Sequence, residues 1–319
     1  MKTVSIIIPV KPGGTVAACE HIKRLMPDDV SYEVLLAEGC APSSQRNLAA
    51  REAGGEILYF LDDDALIAPK NFVYCCDGLR DPMVAVVGGP SLTPPGDNWL
   101  QQLFGYALAS KMGSGAVCNR YRAKGNIRNT TDRELILCNL AIRRTIFEKL
   151  GGFNECLYPN EENEFLDRAV SAGYGLIYNP SMYVYRSQRQ TLTAFVRQMF
   201  SYGRGRGQQT LISRSFSVTS FIPLFFVVYL VVTLVCIKYL LLFVPLVLYL
   251  LAAIVSALAI SFQRGRLLSL LLVGIYPIMH TVNGVGLLWG LINGRPVARH
   301  DSAIRITRIK KFGESYRTQ

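Results

Sequence analysis

The sequence predicts an α/β domain with a mostly parallel sheet covered by helices on both faces, followed by an α-helical membrane region. Three observations predict it. Short β-branched runs alternate with segments of helical spacing over the first sixty residues. None of these runs shows a polar alternate face, which is the mark of strands buried on both sides. Beyond residue 214, apolar stretches appear that are as long as a bilayer is thick.

The elements follow in order. "VSIIIPV" (4–10) reads as a buried strand that ends at Pro9-Val10 and opens into the loop "KPGG". Val16, Cys19, Ile22 and Met26 then share one face of a helix. "YEVLLAEG" (32–39) is a second strand. "SSQRNLAAREAGG" (43–55) is a helix with Ser43 or Ser44 as its cap and Gly54-Gly55 as its stop. "EILYFL" (56–61) is a third strand. Strand, helix, strand, helix, strand builds a parallel sheet, and ligands bind at the carboxyl ends of such strands. The three ends carry Lys11, Glu38 and the run Asp62-Asp63-Asp64.

Length allows one large domain plus a module, or two modest domains. Charge is uneven. Residues 1–196 hold 20 Lys+Arg and 21 Asp+Glu, so the whole excess of +11 lies beyond them. Arg197, Arg204, Arg206 and Arg214 precede the apolar region, Lys238, Arg264 and Arg266 interrupt it, and seven basic residues follow it. Positive charge packed around apolar stretches fits anionic lipid; without a basic-aromatic module, nucleic acid is not an expected partner. Helices are expected at about 216–237, 239–262 and 267–292. The first two read as a spanning hairpin with Lys238 at its turn. The third, interrupted by Pro277, His280, Asn283 and glycines, is spanning or re-entrant. The basic flanks favour the cytoplasmic side, and "MKTVSIIIPVKPGG" does not read as a signal peptide. The expected order is therefore a catalytic domain (1–210), a membrane region (211–293) and a basic cytoplasmic tail (294–319). Eight cysteines without a C-x-x-C pair fit a reduced compartment rather than a zinc site.

Three adjacent acids repel one another. One reading is a solvated acidic turn that caps the next helix. The other is a metal site: carboxylate oxygens are hard ligands for Mg²⁺ or Mn²⁺, ions that bring a substrate's phosphates with them. "PNEENEF" adds Glu161, Glu162 and Glu164, either an acidic helix start favoured by the dipole or a source of a general base. "RQMFSYGRGRG" (197–207) is too glycine-rich for a stable helix interior. It reads as a loop in which Arg204 and Arg206 cradle a phosphate, or as a basic flank that sets topology.

"VSIIIPV", "EVLLAEG", "QRNLAAREAGGEILYFLDDDALIAP" and "LGGFNE…PNEENEFLDRAVSAGYGLIYNP" together resemble the family 2 inverting glycosyltransferases of GT-A fold, over roughly residues 3–190. The continuation with apolar helices is similar to membrane-anchored bacterial members that build exopolysaccharides and lipid-linked glycans.

The resemblance implies a UDP- or GDP-sugar donor, a lipid-linked acceptor, membrane lipids as partners, and Mn²⁺ or Mg²⁺ as cofactor. It places Asp62 and Asp64 on the family's D-x-D, with Asp64 on the ion, Asp62 at the ribose or the ion's water shell, and Asp63 between them on the donor side. It places Pro9, Val10, Lys11, Glu38 and Arg46 around the nucleotide and its phosphates. Lys11 stands where relatives carry an acid, and Glu38 where they carry an Asp. Glu162 falls on the general base, with Glu161 the alternative one residue away. Tyr185-Arg186 stands where relatives have a metal-contacting His, so Arg186 is expected on the diphosphate. The implied setting is the bacterial inner membrane, multi-pass, with the catalytic domain facing the cytoplasm. Two other readings remain: a polyprenyl-phosphate glycosyl synthase and a non-catalytic membrane nucleotide-binding protein.

Overall fold

A computed structural model describes residues 2–25, 31–214, 216–294 and 303–314. In chain order the first elements are β1 (Val4–Val10), α1 (Ala17–Leu25), β2 (Tyr32–Glu38), α2 (Pro42–Glu52), β3 (Ile57–Leu61), β4 (Leu66–Ile67), α3 (Asn71–Gly78), β5 (Val84–Gly88) and β6 (Ser91–Leu92). There follow α4 (Trp99–Ala109), α5 (Lys111–Ser114), β7 (Arg128–Asn129), β8 (Asn139–Arg143), α6 (Arg144–Lys149), α7 (Glu161–Ser171), β9 (Gly175–Tyr178) and β10 (Val184–Tyr185). The chain continues with α8 (Leu192–Ser213), α9 (Val218–Val235), α10 (Val244–Arg264), α11 (Leu272–Ile292) and β11 (Arg305–Lys310).

These elements form two compact units. One, the sheet unit, comprises Met1–Leu92, Asn119–Arg186 and Val297–Gln319; the other, the helical unit, comprises Thr93–Cys118 and Ser187–Pro296. The boundary therefore differs from the expected break at residue 210. Residues 93–118 leave the sheet unit because α4 is an apolar helix, with Asn98 as its capping box, and Phe104 stacks on Phe195 of α8 at 4.1 Å.

The sheet unit carries strands in the order β11-β2-β1-β3-β8-β5-β9-β7, with a small second sheet β4-β10-β6. The three strands expected from the sequence pair in parallel, β1 with both β2 and β3. Antiparallel partners surround them, so the sheet is mixed. Ile6 and Ile8 enter one core with Val34 and Tyr59, while Ile7 enters the other with Leu35, Leu58 and Phe60. Both faces are buried, which is why no polar alternation is visible in these runs.

Three expectations are corrected here. The helix at α2 starts on Ala41 and Pro42, with neither serine as its cap. Proline at the first turn lacks an N–H that would be orphaned there anyway. Ser43 and Ser44 instead donate to Leu157 O (2.6 Å) and Glu155 Oε2 (2.9 Å), tying α2 to the loop before α7. In α1, Ile22 is buried and Cys19 and Val16 pack on the same core, but Met26 lies outside the described residues. Residues 305–310 of the expected basic tail are strand β11, antiparallel to β2, with Arg305 opposite Glu38. The rest of the segment from Arg295 to Ser302 and beyond Glu314 lies outside the described residues. Ile309 is buried, and Arg308 Nε approaches Glu33 Oε2 to 2.8 Å. Glu33 is itself 2 % exposed and accepts from Ser5 Oγ and Gly54 N. Charge counting hid a strand whose apolar residues cover the edge of the sheet.

The third correction concerns "RQMFSYGRGRG", which is not a loop but the middle of the 22-residue helix α8. Its glycines are packing devices. A Cβ on Gly203 would stand 2.0 Å from Asn283 O, and one on Gly207 2.5 Å from Leu287 O. Reciprocally, a Cβ on Gly286 or Gly290 of α11 would meet Phe200 O or Arg204 O at 2.2 Å. Each glycine costs the isolated helix about 1 kcal/mol. Backbone-to-backbone packing of the small-xxx-small kind offsets that cost. Among the described residues, α9, the segment Leu240–Arg264 containing α10, and the segment Leu267–Ile292 containing α11 are long and apolar enough to cross a membrane.

Candidate active site

The carboxyl ends of β1, β2 and β3 lie side by side because Pro9 and Val10 pair in register with Ala37 and Glu38, and β3 runs along β1. Gln45 of α2 stitches two of these ends together, its Nε2 donating to Val10 O at 3.0 Å and to Ala37 O. Gly39 N also donates to Val10 O (2.9 Å). Glu38 accepts from Gly13 N at 2.9 Å, which holds the "KPGG" loop beside β2. Lys11 is exposed on that loop.

At the end of β3 the chain turns through Asp62, Asp63 and Asp64, and Asp63 O accepts from Ala18 N of α1 at 3.0 Å. The turn is held open by arginines. Arg186, just past β10, donates from Nε to Asp64 Oδ1 at 2.6 Å, and its Nη2 lies 3.2 Å from Asp62 Oδ2. Arg46 of α2 is 4 % exposed and bridges two acids: Nη2 donates to Asp62 Oδ1 and Nη1 to Glu161 Oε1, both at 2.9 Å. Arg46 Nε is buried with no hydrogen-bond partner among the described residues. Asn47, beside it, donates to Phe153 O and Glu155 Oε1, so its role is to fix the loop before α7.

That loop delivers the glutamates. Asn160, with φ +91°, starts α7, and Glu161, Glu162 and Glu164 fill its first turn. Glu161 is 2 % exposed. Burial raises its carboxyl above the usual range; Arg46 opposes the shift and Glu162 adds to it. Glu162 is buried too, 3.7 Å from Arg120 Nη1 and within 3.4 Å of Asn163 Nδ2, while Arg120 also donates to Asn163 Oδ1. Glu164 turns away to Arg168 (2.7 Å). Asp63 is likewise pushed up, by burial first and then by Asp64 and Asp62, against Arg186.

The structure thus brings together Arg46, Asp62, Asp63, Asp64, Glu161, Glu162 and Arg186, drawn from β3, α2, α7 and the end of β10. Arg120 was not found by sequence reasoning: it lies in an irregular 3₁₀ stretch, Gly115–Tyr121, with no motif around it. Five acids here face three guanidiniums. The upward shifts of Asp63 and Glu161 come first from burial and then from the neighbouring carboxylates, against Arg186 and Arg46. A divalent ion fits such a site. Among the described residues no three His, Cys, Asp or Glu converge as a ready metal cage. One or two carboxylates completed by substrate phosphates and water are nevertheless a usual Mg²⁺-type arrangement.

In the helical unit, Arg204 lines a groove of about 560 Å³ between α8 and α11, together with Arg197, Ser201, Phe200, Thr281 and Val285. Arg206 does not line it. Two residues along a helix is a turn of about 200°, so Arg204 and Arg206 do not form a single cradle, contrary to expectation.

Comparison with known proteins accords with this arrangement. Residues 57–292, about three quarters of the chain, match glycosyl transferase family group 2. The O-antigen chain rhamnosyltransferase RfbN of Salmonella typhimurium is 28% identical over 181 residues, 54% of either chain. The succinoglycan biosynthesis protein ExoA of Rhizobium meliloti is 26% identical over 208 residues, 64% of this chain and 60% of its own. The chain thus spans less than two thirds of the length of these relatives. Among solved structures, a mannosyltransferase, PcManGT from Pyrobaculum calidifontis, in complex with GDP-Man and Mn²⁺, superposes with a TM-score of 0.52 at 17% identity, covering 91% of this chain and 87% of its own. At that identity the likeness is one of fold, and the fold is GT-A. By the extent of the family match, the chain belongs to glycosyl transferase family group 2.

Proposed function

We propose that the protein is a metal-dependent, inverting glycosyltransferase. It moves a sugar from a UDP- or GDP-sugar to a membrane-associated, lipid-linked acceptor in cell-surface polysaccharide or glycolipid synthesis. Its setting is the cytoplasmic face of the bacterial inner membrane. The observation that carries the reading is the arginine-bridged acid cluster at the carboxyl ends of the sheet, Arg186 on Asp62 and Asp64 and Arg46 on Asp62 and Glu161. The names of RfbN and ExoA support the polysaccharide setting. The ions and nucleotide in the PcManGT complex make Mn²⁺ and GDP-sugars the first to test.

Asp62 and Asp64 would hold the divalent ion, Mn²⁺ or Mg²⁺, which when bound neutralises charge on the departing diphosphate. Arg186 and Arg46 are the guanidiniums placed to receive the donor's phosphate oxygens, and the orphaned Nε of Arg46 offers a donor for one of them. Pro9, Val10, Lys11 and Glu38 border the nucleotide at the ends of β1 and β2, and Asp63 holds the turn. Glu162 takes the proton of the acceptor hydroxyl, oriented by Arg120 and Asn163. The freed oxygen forms its bond to the anomeric carbon as the bond to the diphosphate breaks, with the electron pair leaving on the diphosphate. Attack comes from the opposite face, so configuration inverts. Glu161 is the alternative base, being the group shifted towards neutrality, but its oxygen is committed to Arg46. Arg204, with Arg197 and Ser201, is placed to receive the acceptor's phosphate in the groove, with Arg206 outside it.

The test is a panel of UDP- and GDP-sugars assayed for transfer with Mn²⁺, Mg²⁺ or chelator, on wild type, Asp64→Ala and Glu162→Gln. One donor consumed only with metal, and lost in Asp64→Ala, supports the reading. Consumption unaffected by chelator and by Asp64→Ala contradicts it. Transfer that survives Glu162→Gln favours a lipid phosphate as acceptor, which needs little help from a base.

A further inference from the structure

The first and last of the described strands, β1 and β11, belong to one sheet. β11 follows all the apolar helices, yet it pairs through Arg305, Ile306, Thr307 and Arg308 with β2, which precedes them all. Paired strands lie on one side of a bilayer, so the chain between them crosses an even number of times. Among the described residues, three segments are long and apolar enough to cross. We infer that only α9 and α10 cross, as a hairpin, and that α11, packed against both of them, re-enters the bilayer and returns to the side it started from, while α8 stays among the lipid head groups. The inference rests on the reading of the protein as membrane-embedded.

The helix that fails to cross is identified by its contacts. Of the most apolar 18 residues in each segment, 39% are buried by protein for α11 but 11% for α9 and for α10. Leu234, Val235, Leu240, Leu241, Val255 and Phe262 of the latter two segments are more than 60% exposed, a surface only lipid can cover. α11 is locked to α8 through Gly203, Gly207, Gly286 and Gly290, packs on α9 where a Cβ on Gly284 would stand 2.2 Å from Pro223 O, and meets α10 through the Ser256 and Tyr276 hydroxyls (3.0 Å) and through Tyr249 and His280 (2.9 Å). α8 carries Arg197, Arg204 and Arg206, charges that hydrocarbon does not accept, so the second half of α11, tied to α8 at Gly286 and Gly290, cannot run through to the far side without drawing them in. At its middle, His280 Nε2 lies 3.0 Å from Gly113 O of α5. The excursion that carries α5, residues 93–118, leaves and rejoins the sheet unit through an 11-residue helix too short to cross. Arg264 at the end of α10 sits 5.2 Å over the ring of Tyr106 in that same excursion, so α10 ends where α9 began.

Residues 293–304 do not rescue a third crossing. Fully extended, these twelve residues would reach about 40 Å at ~3.3 Å each. Yet they carry Arg295, Arg299 and Asp301, and an extended backbone has no partners for its N–H and C=O groups inside lipid.

The native Cys236 and its neighbour Lys238, in the turn between α9 and α10, supply the test. Intact bacterial cells producing the full chain are treated with a membrane-impermeant maleimide, and labelled peptides are identified by mass spectrometry. The variants are Cys236→Ala, Lys238→Cys and Glu314→Cys. The expected result is labelling at 236 and at Lys238→Cys in intact cells, with Glu314→Cys and the exposed Cys40 labelled only after lysis. Glu314→Cys labelled in intact cells means an odd number of crossings and overturns the inference. Lys238→Cys labelled only after lysis overturns the hairpin. Recovery of the chain in the soluble fraction would fault the membrane reading itself, a result distinguishable from either.

Discussion

Arg186 spans Asp62 and Asp64 with a single guanidinium, the two acids proposed to hold a divalent ion. On the proposed function it would compete with the ion until a diphosphate drew it away. Arg186→Ala should tighten Mn²⁺ binding in the absence of donor several-fold, read by the loss of the free-ion EPR signal; an unchanged affinity contradicts the competition. Glu162→Gln should lower transfer to a sugar hydroxyl by about 10²–10⁴, the usual contribution of a general base; a loss below tenfold would move the role to another group. Glu161 makes a claim about pH. Its folded-state pKa is raised, from the ordinary 4.5 to about 8. The folded chain thus holds a proton that the unfolded chain has released within that window. Stability conferred by this group is present below the window and is lost as pH rises through it. Glu161→Gln, which keeps the neutral form, should flatten the fall in thermal midpoint between pH 5 and about 8, whereas a profile parallel to wild type would contradict the shift.

At the scale of elements, strands β1 to β3 and the acids at their ends were legible in the sequence. A strand buried on both faces leaves an unbroken β-branched run, and an acid run at its end is hard to explain otherwise. The remainder of the site was not legible, because its logic is three-dimensional. Arg46 reaches Asp62 and Glu161 from α2, and Arg120 reaches Glu162 from an irregular stretch; neither partnership has a spacing to read. Helix α8 was misread because glycine propensity was weighed without its partner, α11. Gly203→Ala puts a methyl 2.0 Å from Asn283 O. It should destabilise the helical unit by about 1–3 kcal/mol, as overpacking does, despite raising intrinsic helicity, and a higher thermal midpoint in detergent would refute the packing account. Strand β11 was hidden by its charges. Arg308→Ala removes the cation 2.8 Å from the buried Glu33 and one hydrogen bond to Glu52 O. A loss of about 1–3 kcal/mol in unfolding free energy is expected, and no measurable change would mean that the Ser5 and Gly54 contacts suffice for Glu33.

For the whole molecule, the charge asymmetry now has a structural basis. Residues 1–196 are nearly neutral, and the positive excess follows them, on α8, at the ends of the apolar helices and on β11. The site combines two demands that conflict in water. It concentrates carboxylates, which on the proposed function would hold a cation, and it keeps arginines close enough to stop those carboxylates from repelling one another apart. On the proposed reading a metal-bound diphosphate would resolve the conflict, the ion taking the acids and the phosphates the arginines. That exchange is the central claim. A structure of the protein soaked with its nucleotide-sugar donor and Mn²⁺ tests it most directly, through the anomalous signal of manganese. The account predicts a peak within about 2.0–2.3 Å of an Asp64 oxygen, with the Arg186 guanidinium moved from Asp64 onto the diphosphate. A bound nucleotide with no manganese at Asp62 or Asp64, and Arg186 still bridging them, would contradict it.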